Sequence, residues 1–204
     1  MDIDVECVQS FDSIIQKHDC IISQEPLEHA HFLSPVGIPL VSNAVMACRR
    51  NHPFFEHVIT DLYSHSGWFV WNDILHATGP YMLTAEYRHF TQAGLLLDSE
   101  ASYDKILLAA PEIFQPTTDP SMRDHMREAC VHSQGHTFMG DSKYLKHQQD
   151  LCANILQSGF RESAAENSIT DHHWTHSWAG ERNDPYNIIG TNNYVDVKTL
   201  TIHS

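Results

Sequence analysis

The sequence is short of positive charge and of long hydrophobic runs. Lysine and arginine make up 12 of its 204 residues against 26 aspartates and glutamates, so the formal net charge is −14 with histidine neutral. A chain this acidic repels nucleic acid and anionic membrane surfaces unless a basic patch compensates, and Arg49-Arg50 is an isolated basic pair. No apolar run has the length needed to span a bilayer. We therefore expect a globular protein that does not bind nucleic acid.

Cysteines are few and irregularly spaced, and Asn-x-Ser/Thr glycosylation signals do not occur. The odd number of cysteines, with no Cys-x-x-Cys pair, argues against a zinc knuckle and against a disulfide framework. Buried free thiols are the prediction for these side chains. The five are Cys7, Cys20, Cys48, Cys130 and Cys152.

Acidic residues are abundant, and the most suggestive arrangement of them is Asp2-Ile3-Asp4 at the start of the chain. If this run is extended, the two carboxylates point to the same side, because residues two apart in a strand share a face. Two such oxygen ligands suit Mg²⁺ or Mn²⁺, ions that commonly enter a site together with a phosphorylated ligand. On its own, the Asp-x-Asp pattern is more typical of a solvated strand end in an acidic chain, and a metal and diphosphate site is the alternative interpretation.

Hydrophobic periodicity predicts a mixture of helices and strands, and no repeat or clean linker divides the chain. A run from Leu40 to Cys48 that carries Ser42 and Asn43 is expected to be a central strand, and Pro53 is expected to open a core helix. The other expectations are a strand at 20–22, a loop at 25–39, a last buried strand at 106–110, and helices at 121–131 and 144–156.

A second group of chemically versatile side chains lies at 171–178, where three histidines and two tryptophans fall within eight residues. On a helix, His172 and His176 would share a face and could bind zinc. The metalloprotease pattern His-Glu-x-x-His is absent because no Glu follows His172. A surface cluster of aromatic and histidine side chains is the alternative interpretation.

Taken together and in order, these motifs resemble glycosyltransferase family 32. The resemblance extends from Asp2 to Trp178, and its motifs are Asp2-Ile3-Asp4-Val5-Glu6, Ser42-Asn43-Ala44, Asn51-His52-Pro53-Phe54, Thr78-Gly79-Pro80, His172-x-Trp174 and Ser177-Trp178. It implies an α/β fold, a GT-A-like mixed sheet with flanking helices, in a partial sugar-binding domain at residues 1–180 that is followed by a tail at residues 181–204. It also implies transfer of a sugar from a nucleotide sugar with retention of anomeric configuration.

The resemblance assigns roles to individual residues. Asp2, Asp4 and His172 would bind Mn²⁺, with Mg²⁺ as the alternative ion and His173 as the ligand if the register differs by one. Asn43 would lie beside the donor sugar, and Ser177 and Trp178 beside the diphosphate. Asp73, Thr78, Gly79 and Pro80 would lie on the acceptor side of the pocket. Of these, Asp73 and Thr78 are assigned catalytic roles, and Gly79 and Pro80 are assigned ligand contacts.

The donor implied by the resemblance is GDP-mannose, slightly preferred, or a UDP-sugar, and the acceptor is a glycan or glycolipid. The expected location is the lumenal side of the Golgi membrane, through an N-terminal anchor in a longer protein. The sequence departs from the family in lacking the nucleotide-binding half and the Gly-Gly-x-Tyr run before the acidic pair. An inactive, metal-binding or partner-binding module is therefore the first alternative, and a haloacid-dehalogenase-like phosphatase is a distant one.

Overall fold

The computed structural model describes residues 1–33, 39–65, 74–96, 106–133 and 142–175. These residues form a mixed α/β fold, as the sequence predicts. The strands are β1 (Val5–Cys7), β2 (Cys20–Gln24), β3 (Val41–Cys48), β4 (Ile106–Ala109) and β5 (Thr170–His172). The helices are α1 (Asp12–Ile15), α2 (Leu27–Leu33), α3 (Pro53–His65), α4 (Ile74–Ala77), α5 (Pro80–Leu96), α6 (Pro111–Phe114), α7 (Arg123–Ser133) and α8 (Ser142–Ser158), with a 3₁₀ turn at Pro120–Met122.

The larger sheet has three strands in the order β3-β2-β4. Strand β2 pairs antiparallel with β3 and parallel with β4, so the sheet is mixed. The prediction of a central strand at Leu40–Cys48 is wrong among the described strands, because β3 lies at an edge and β2 occupies the centre. Composition misled the prediction, because the edge strand β3 is as rich in apolar residues as the central strand β2.

Side chains of β2 alternate between two hydrophobic layers, as the pleat of a strand requires. Cys20 and Ile22 face a layer formed with α3 and α5, in which Phe54 and Leu83 are buried. Ile21 faces the other layer together with Phe114 of α6. Burying both faces of β2 explains why the run Cys20-Ile21-Ile22 is continuously apolar.

The smaller sheet joins the start of the chain to residues 170–172. Strands β1 and β5 are antiparallel, with Val5 opposite His172 and Cys7 opposite Thr170. The sequence predicts 106–110 as the last buried strand, and β5 shows that this is wrong. A three-residue strand is too short to show a period of two, so its pairing depends on contacts with a segment far away in the sequence.

Helix α2 lies inside the stretch 25–39 that the sequence predicts as loop, which is a second correction. Its seven residues, Leu27–Leu33, contain neither glycine nor proline, and Ala30 N–H bonds to the carbonyl of Pro26. Pro26 therefore starts the helix, where a missing N–H costs nothing, instead of interrupting it.

Two disulfides contradict the prediction of free thiols. Cys20 and Cys48 are directly opposite in β2 and β3, and Cys130 of α7 bonds to Cys152 of α8. Cys7 is free and exposed. Sequence spacing could not reveal these bonds, because each joins cysteines from two different elements that become neighbours through folding. In the described part of the chain, no helix combines the length and hydropathy needed to cross a membrane.

Candidate metal centre

Asp2 and Asp4 lie just before β1, in a turn instead of the extended run that the sequence predicts. Ile3 and Asp4 form the turn, and Val5 N–H bonds back to the carbonyl of Asp2 at 3.3 Å. Asp2 N–H also donates to the carbonyl of Ala44 in β3 at 2.8 Å. The turn and the contact with β3 fix the position of the two carboxylates without the alternation of a strand.

His172 meets this turn through the pairing of β1 with β5. Its Nε2 lies 3.3 Å from Oδ1 of Asp4, and the His172 side chain is 9 % exposed. One ligand atom each from Asp2, Asp4 and His172 all lie within 4.8 Å of one another. Residues from the two ends of the described chain thus form one cluster compact enough for a single divalent cation.

Gln115, which the sequence analysis did not single out, orients the His172 ring. This fully buried residue follows α6, and its Oε1 lies 3.2 Å from Nδ1 of His172. An amide oxygen can only accept, so Nδ1 carries the proton that it donates to Gln115. In neutral His172 the Nε2 lone pair therefore points to Asp4, as in histidines that bind metals.

The orientation of the Gln115 amide follows from its other contacts. Nε2 donates to Oγ of Ser23 at 3.4 Å and to Oγ of Ser42. The Ser23 hydroxyl uses its own proton to bond the Val45 carbonyl at 3.3 Å, so it can only accept from Gln115. The NH₂ group therefore faces the two serines and the amide oxygen faces His172.

Trp174 and Thr175 hold the other sides of the cluster. The Trp174 ring stacks on His172 with centroids 3.8 Å apart, and its Nε1 donates to the Thr117 hydroxyl at 3.1 Å. Thr175 donates to Oδ2 of Asp4 from its backbone N–H at 2.9 Å and from its hydroxyl at 3.0 Å. With Oδ2 occupied, Oδ1 of Asp4 is left facing His172.

The pKa values of His172 and Asp4 shift toward the forms that offer lone pairs, whereas the pKa of Asp2 shifts the other way. Burial lowers the pKa of His172 more than the nearby carboxylates of Asp4, Glu25 and Asp2 raise it, so the neutral ring is favoured. Burial also tends to raise the pKa of Asp4, but the Thr175 hydrogen bonds and His172 outweigh it, and the pKa is lowered. Burial raises the pKa of Asp2.

A neutral His172 and an ionised Asp4 present two lone pairs to each other across 3.3 Å. Two acceptors at this distance repel unless positive charge lies between them. A proton on Nε2 would serve, but burial of the ring disfavours it. A divalent cation satisfies both atoms and Asp2 as well, so the donor set fits a metal of the Mn²⁺ class.

Glu25 and His29 extend the site beyond the predicted residues. Glu25 follows β2, is 7 % exposed, and acts electrostatically on both Asp2 and His172. His29 Nε2 accepts from Asp119 N–H at 3.0 Å, and its Nδ1 lies 3.4 Å from Glu25. The His29 ring also packs edge-on against Trp174. The expected loop therefore supplies a buried carboxylate beside the metal ligands.

His173, the alternative ligand, takes a different position. Its side chain is exposed, and its Nε2 pairs with Glu6 at 3.1 Å. Its backbone N–H bonds to the carbonyl of Asp4, so it contributes to the pairing of the two chain segments. The structure therefore brings His172, and not His173, to Asp2 and Asp4. Residue 172 ends β5, so the helical spacing on which a zinc pair of His172 and His176 would depend is not present at His172.

Asn43 and the Thr78-Gly79-Pro80 turn lie next to each other. Asn43 Nδ2 donates to the carbonyl of Thr78 at 3.5 Å, one residue from the Ala44 carbonyl that binds Asp2. Helix α5 begins at Pro80, with the Gly79 carbonyl accepting from Leu83 N–H. These contacts place Thr78 beside Asn43, the residue of β3 that precedes the Ala44 carbonyl bonded by Asp2.

Three predicted site residues, Asp73, Ser177 and Trp178, lie outside the described residues, as does His176. The residues that sequence reasoning missed gave weak signals of their own. Gln115 is one amide among many, and Glu25 lies in a proline-rich stretch that favours a loop reading. Their proximity to His172 depends on the tertiary fold.

Comparison of the chain with protein-family models, with curated proteins and with solved structures gives no significant match.

Proposed function

We propose that the protein is a metal-dependent, retaining glycosyltransferase of GT-A type, related to glycosyltransferase family 32. The observation that carries the proposal is the convergence of Asp2, Asp4 and His172, whose ligand atoms lie within 4.8 Å of one another. The resemblance named these three residues from opposite ends of the sequence. Their convergence supports a shared cation, because no local sequence feature brings position 172 to positions 2 and 4.

The ligand types support Mn²⁺ as the ion, with Mg²⁺ as the alternative. An imidazole added to two carboxylates favours Mn²⁺, since Mg²⁺ prefers oxygen and water. When bound, such an ion would offset charge on the leaving diphosphate. An acidic chain with a net charge of −14 needs this help to bind an anionic nucleotide sugar.

The chain's own residues orient and shield the site. Gln115 and Trp174 fix the His172 ring, and Thr175 fixes Asp4, so both ligands are held before the ion arrives. Asn43 lies at the edge proposed for the donor sugar, and Thr78, Gly79 and Pro80 form the proposed acceptor side. Asp73 is proposed for the same side, and Ser177 and Trp178 for the diphosphate.

Glu25 adds a buried carboxylate next to the metal ligands. In a retaining transfer, positive charge develops on the sugar ring, and a fixed carboxylate stabilises it electrostatically. His29 orients Glu25 by donating from Nδ1, because its Nε2 already accepts from Asp119. We propose that Glu25 lies close to the donor sugar.

The proposed location is the lumen of the Golgi. Two disulfides within the described residues support it, because disulfides persist in the oxidising compartments of the secretory pathway and are rare in the cytosol. The proposed acceptor, a glycan or glycolipid, is found in the same compartment. The preferred donor stays GDP-mannose, with UDP-sugars as the alternative.

The test is Mn²⁺ binding, by calorimetry, together with Mn²⁺-dependent release of nucleoside diphosphate from GDP-mannose and UDP-sugars. Asp4→Ala removes a ligand and should weaken Mn²⁺ binding at least tenfold, roughly the smallest loss seen when groups supporting metal ligands are changed. It should also abolish release. Asp12→Ala, which removes an exposed carboxylate in α1, is the matched control and should change neither.

The outcomes separate the alternatives. Mn²⁺ binding without release from any nucleotide sugar favours a binding module over an enzyme. Phosphate release from p-nitrophenyl phosphate, lost in Asp2→Ala, favours the phosphatase, in which the first Asp is the nucleophile. Unchanged Mn²⁺ affinity in Asp4→Ala contradicts the metal assignment.

A further inference from the structure

A second cluster of potential ligands lies between α3 and α5. Residues four apart, or three apart, share one face of a helix. His57 and Asp61 therefore lie on one face of α3, and Glu86 and His89 lie on one face of α5. The His57 and His89 rings are 5.5 Å apart, so the two faces meet. None of these residues belongs to the Asp2, Asp4 and His172 cluster.

Three of these side chains approach as metal ligands do. One ligand atom each from His57, Glu86 and His89 all lie within 4.8 Å of one another. His57 Nε2 and Glu86 Oε2 are 2.8 Å apart, yet within the described structure these two buried atoms make no hydrogen bond with suitable geometry. A cation bound beside these two atoms would give each of them a partner.

Charge at the cluster also favours a cation. Glu86 is 9 % exposed and lies beside Asp61, so two carboxylates share a confined space. Burial, and then Asp61, raise the pKa of Glu86. A bound cation removes both the burial cost and the repulsion between the carboxylates.

We propose that His57, Glu86 and His89 form a second metal site, selective for Zn²⁺ or a similar transition metal, that links α3 to α5. Two imidazoles and one carboxylate are a donor set that Zn²⁺ binds readily and that hard ions such as Ca²⁺ avoid. Asp61, on the same face of α3 as His57, lies beside Glu86 of α5. A Glu-x-x-His pair on one helix facing a partner helix is a known way to build metal sites in helical proteins.

A metal at this second site would stabilise the packing of α3 and α5. Both helices pack on the same face of the larger sheet, around Phe54 and Leu83. A metal that joins them stabilises this layer in the folded state and has no preformed site in the unfolded chain. Zinc bound at this site would stabilise the fold, and the proposed sugar transfer does not require it.

The experiment is a Zn²⁺ titration of the metal-stripped chain against a chromophoric chelator, made in the Asp4→Ala background to remove the first cluster. One equivalent of Zn²⁺ is expected to remain bound. His89→Ala should weaken its binding by at least tenfold, as loss of a ligand or its support does. His132→Ala, an exposed histidine on α7, is the matched control and should leave binding unchanged.

Visible absorption of bound Co²⁺ is a second measurement, and it would not respond if His57 and His89 served only to pack the two helices. The absorption should appear when Co²⁺ binds to His57 and His89 and should be lost in His89→Ala. Glu86→Gln keeps the size of the side chain, and its circular dichroism checks folding. Zn²⁺ affinity unchanged in both variants overturns the proposal and leaves a His57–Glu86 ion pair. Because the titration is made in the Asp4→Ala variant, its result tests the second metal site alone. The proposed transferase site could be wrong without affecting this result.

Discussion

Gln115 is the side chain that connects His172 to the interior of the larger sheet. Its oxygen accepts from the His172 ring, and its NH₂ group donates to Ser23 of β2 and Ser42 of β3. The amide is fully buried, so each of its hydrogen bonds is costly to lose. The side chain of His172, a candidate metal ligand, is thus held by a polar network inside the sheet.

Replacing Gln115 by methionine keeps the shape of the side chain and removes its hydrogen bonds. The free energy of unfolding should fall by about 1–3 kcal/mol, because buried polar groups lose their partner. Mn²⁺ affinity should fall about 10- to 100-fold, because the His172 ring is no longer oriented. Urea unfolding and calorimetry measure the two effects. Gln16→Met, at an exposed position, should show neither, and equal Mn²⁺ affinity in both variants would contradict the role of Gln115.

Individual elements differ in how well the sequence predicts them. Asn51-His52-Pro53 followed by an apolar stripe predicts α3, and the structure confirms a helix from Pro53 to His65. Helices 121–131 and 144–156 are confirmed as α7 and α8 within a few residues. In contrast, the sequence did not predict α2, because prolines flank it, or β5, because a strand of three residues is too short to show a pattern. Local signals predict elements that are long and periodic, and pairing across the chain decides the rest.

The Cys130–Cys152 bond joins α7 to α8 across 22 residues. Closing a loop of this size restricts the unfolded chain, which stabilises the fold by about 3 kcal/mol in the chain-entropy account. The double variant Cys130→Ser, Cys152→Ser should lose roughly that much in urea unfolding. Cys7→Ser, at the free exposed cysteine, should lose nothing measurable. Equal stabilities of the double variant and the parent chain would contradict the bond.

At the scale of the whole molecule, the sequence suggested the three residues of the candidate metal centre but not their geometry. The resemblance proposed Asp2, Asp4 and His172, and the structure places them together. The turn at Asp4, the Trp174 stack and the buried Glu25 depend on the packing of β1, β5 and α2, which no local pattern specifies. Asn43 and Thr78 are adjacent in the fold, although 35 residues separate them.

Acid should destabilise the metal-free protein through His172. Burial holds the pKa of His172 in the folded protein below its usual value of 6.5 in an unfolded chain. Between these two values the unfolded chain binds more protons, so the free energy of unfolding decreases as pH falls below 6.5. This loss is measured by urea unfolding in chelator at about pH 7.5 and about pH 5.5.

His172→Asn removes this titration and should reduce the loss of stability over the same pH interval. His132→Asn changes an exposed histidine and should leave the pH dependence as it is in the parent chain. A pH dependence that is the same in His172→Asn and in the parent chain would show that burial of this ring does not control its protonation.

The pairing of β1 with β5 has a consequence for biosynthesis. Asp4 and Thr175, which are hydrogen-bonded in the finished fold, are 171 positions apart in the sequence. A nascent chain on the ribosome carries Asp2 and Asp4 long before it gains His172, which lies far later in the sequence. The proposed cation site is therefore complete only after closure of the longest loop among the described residues, so its occupancy would distinguish finished molecules from partly made ones.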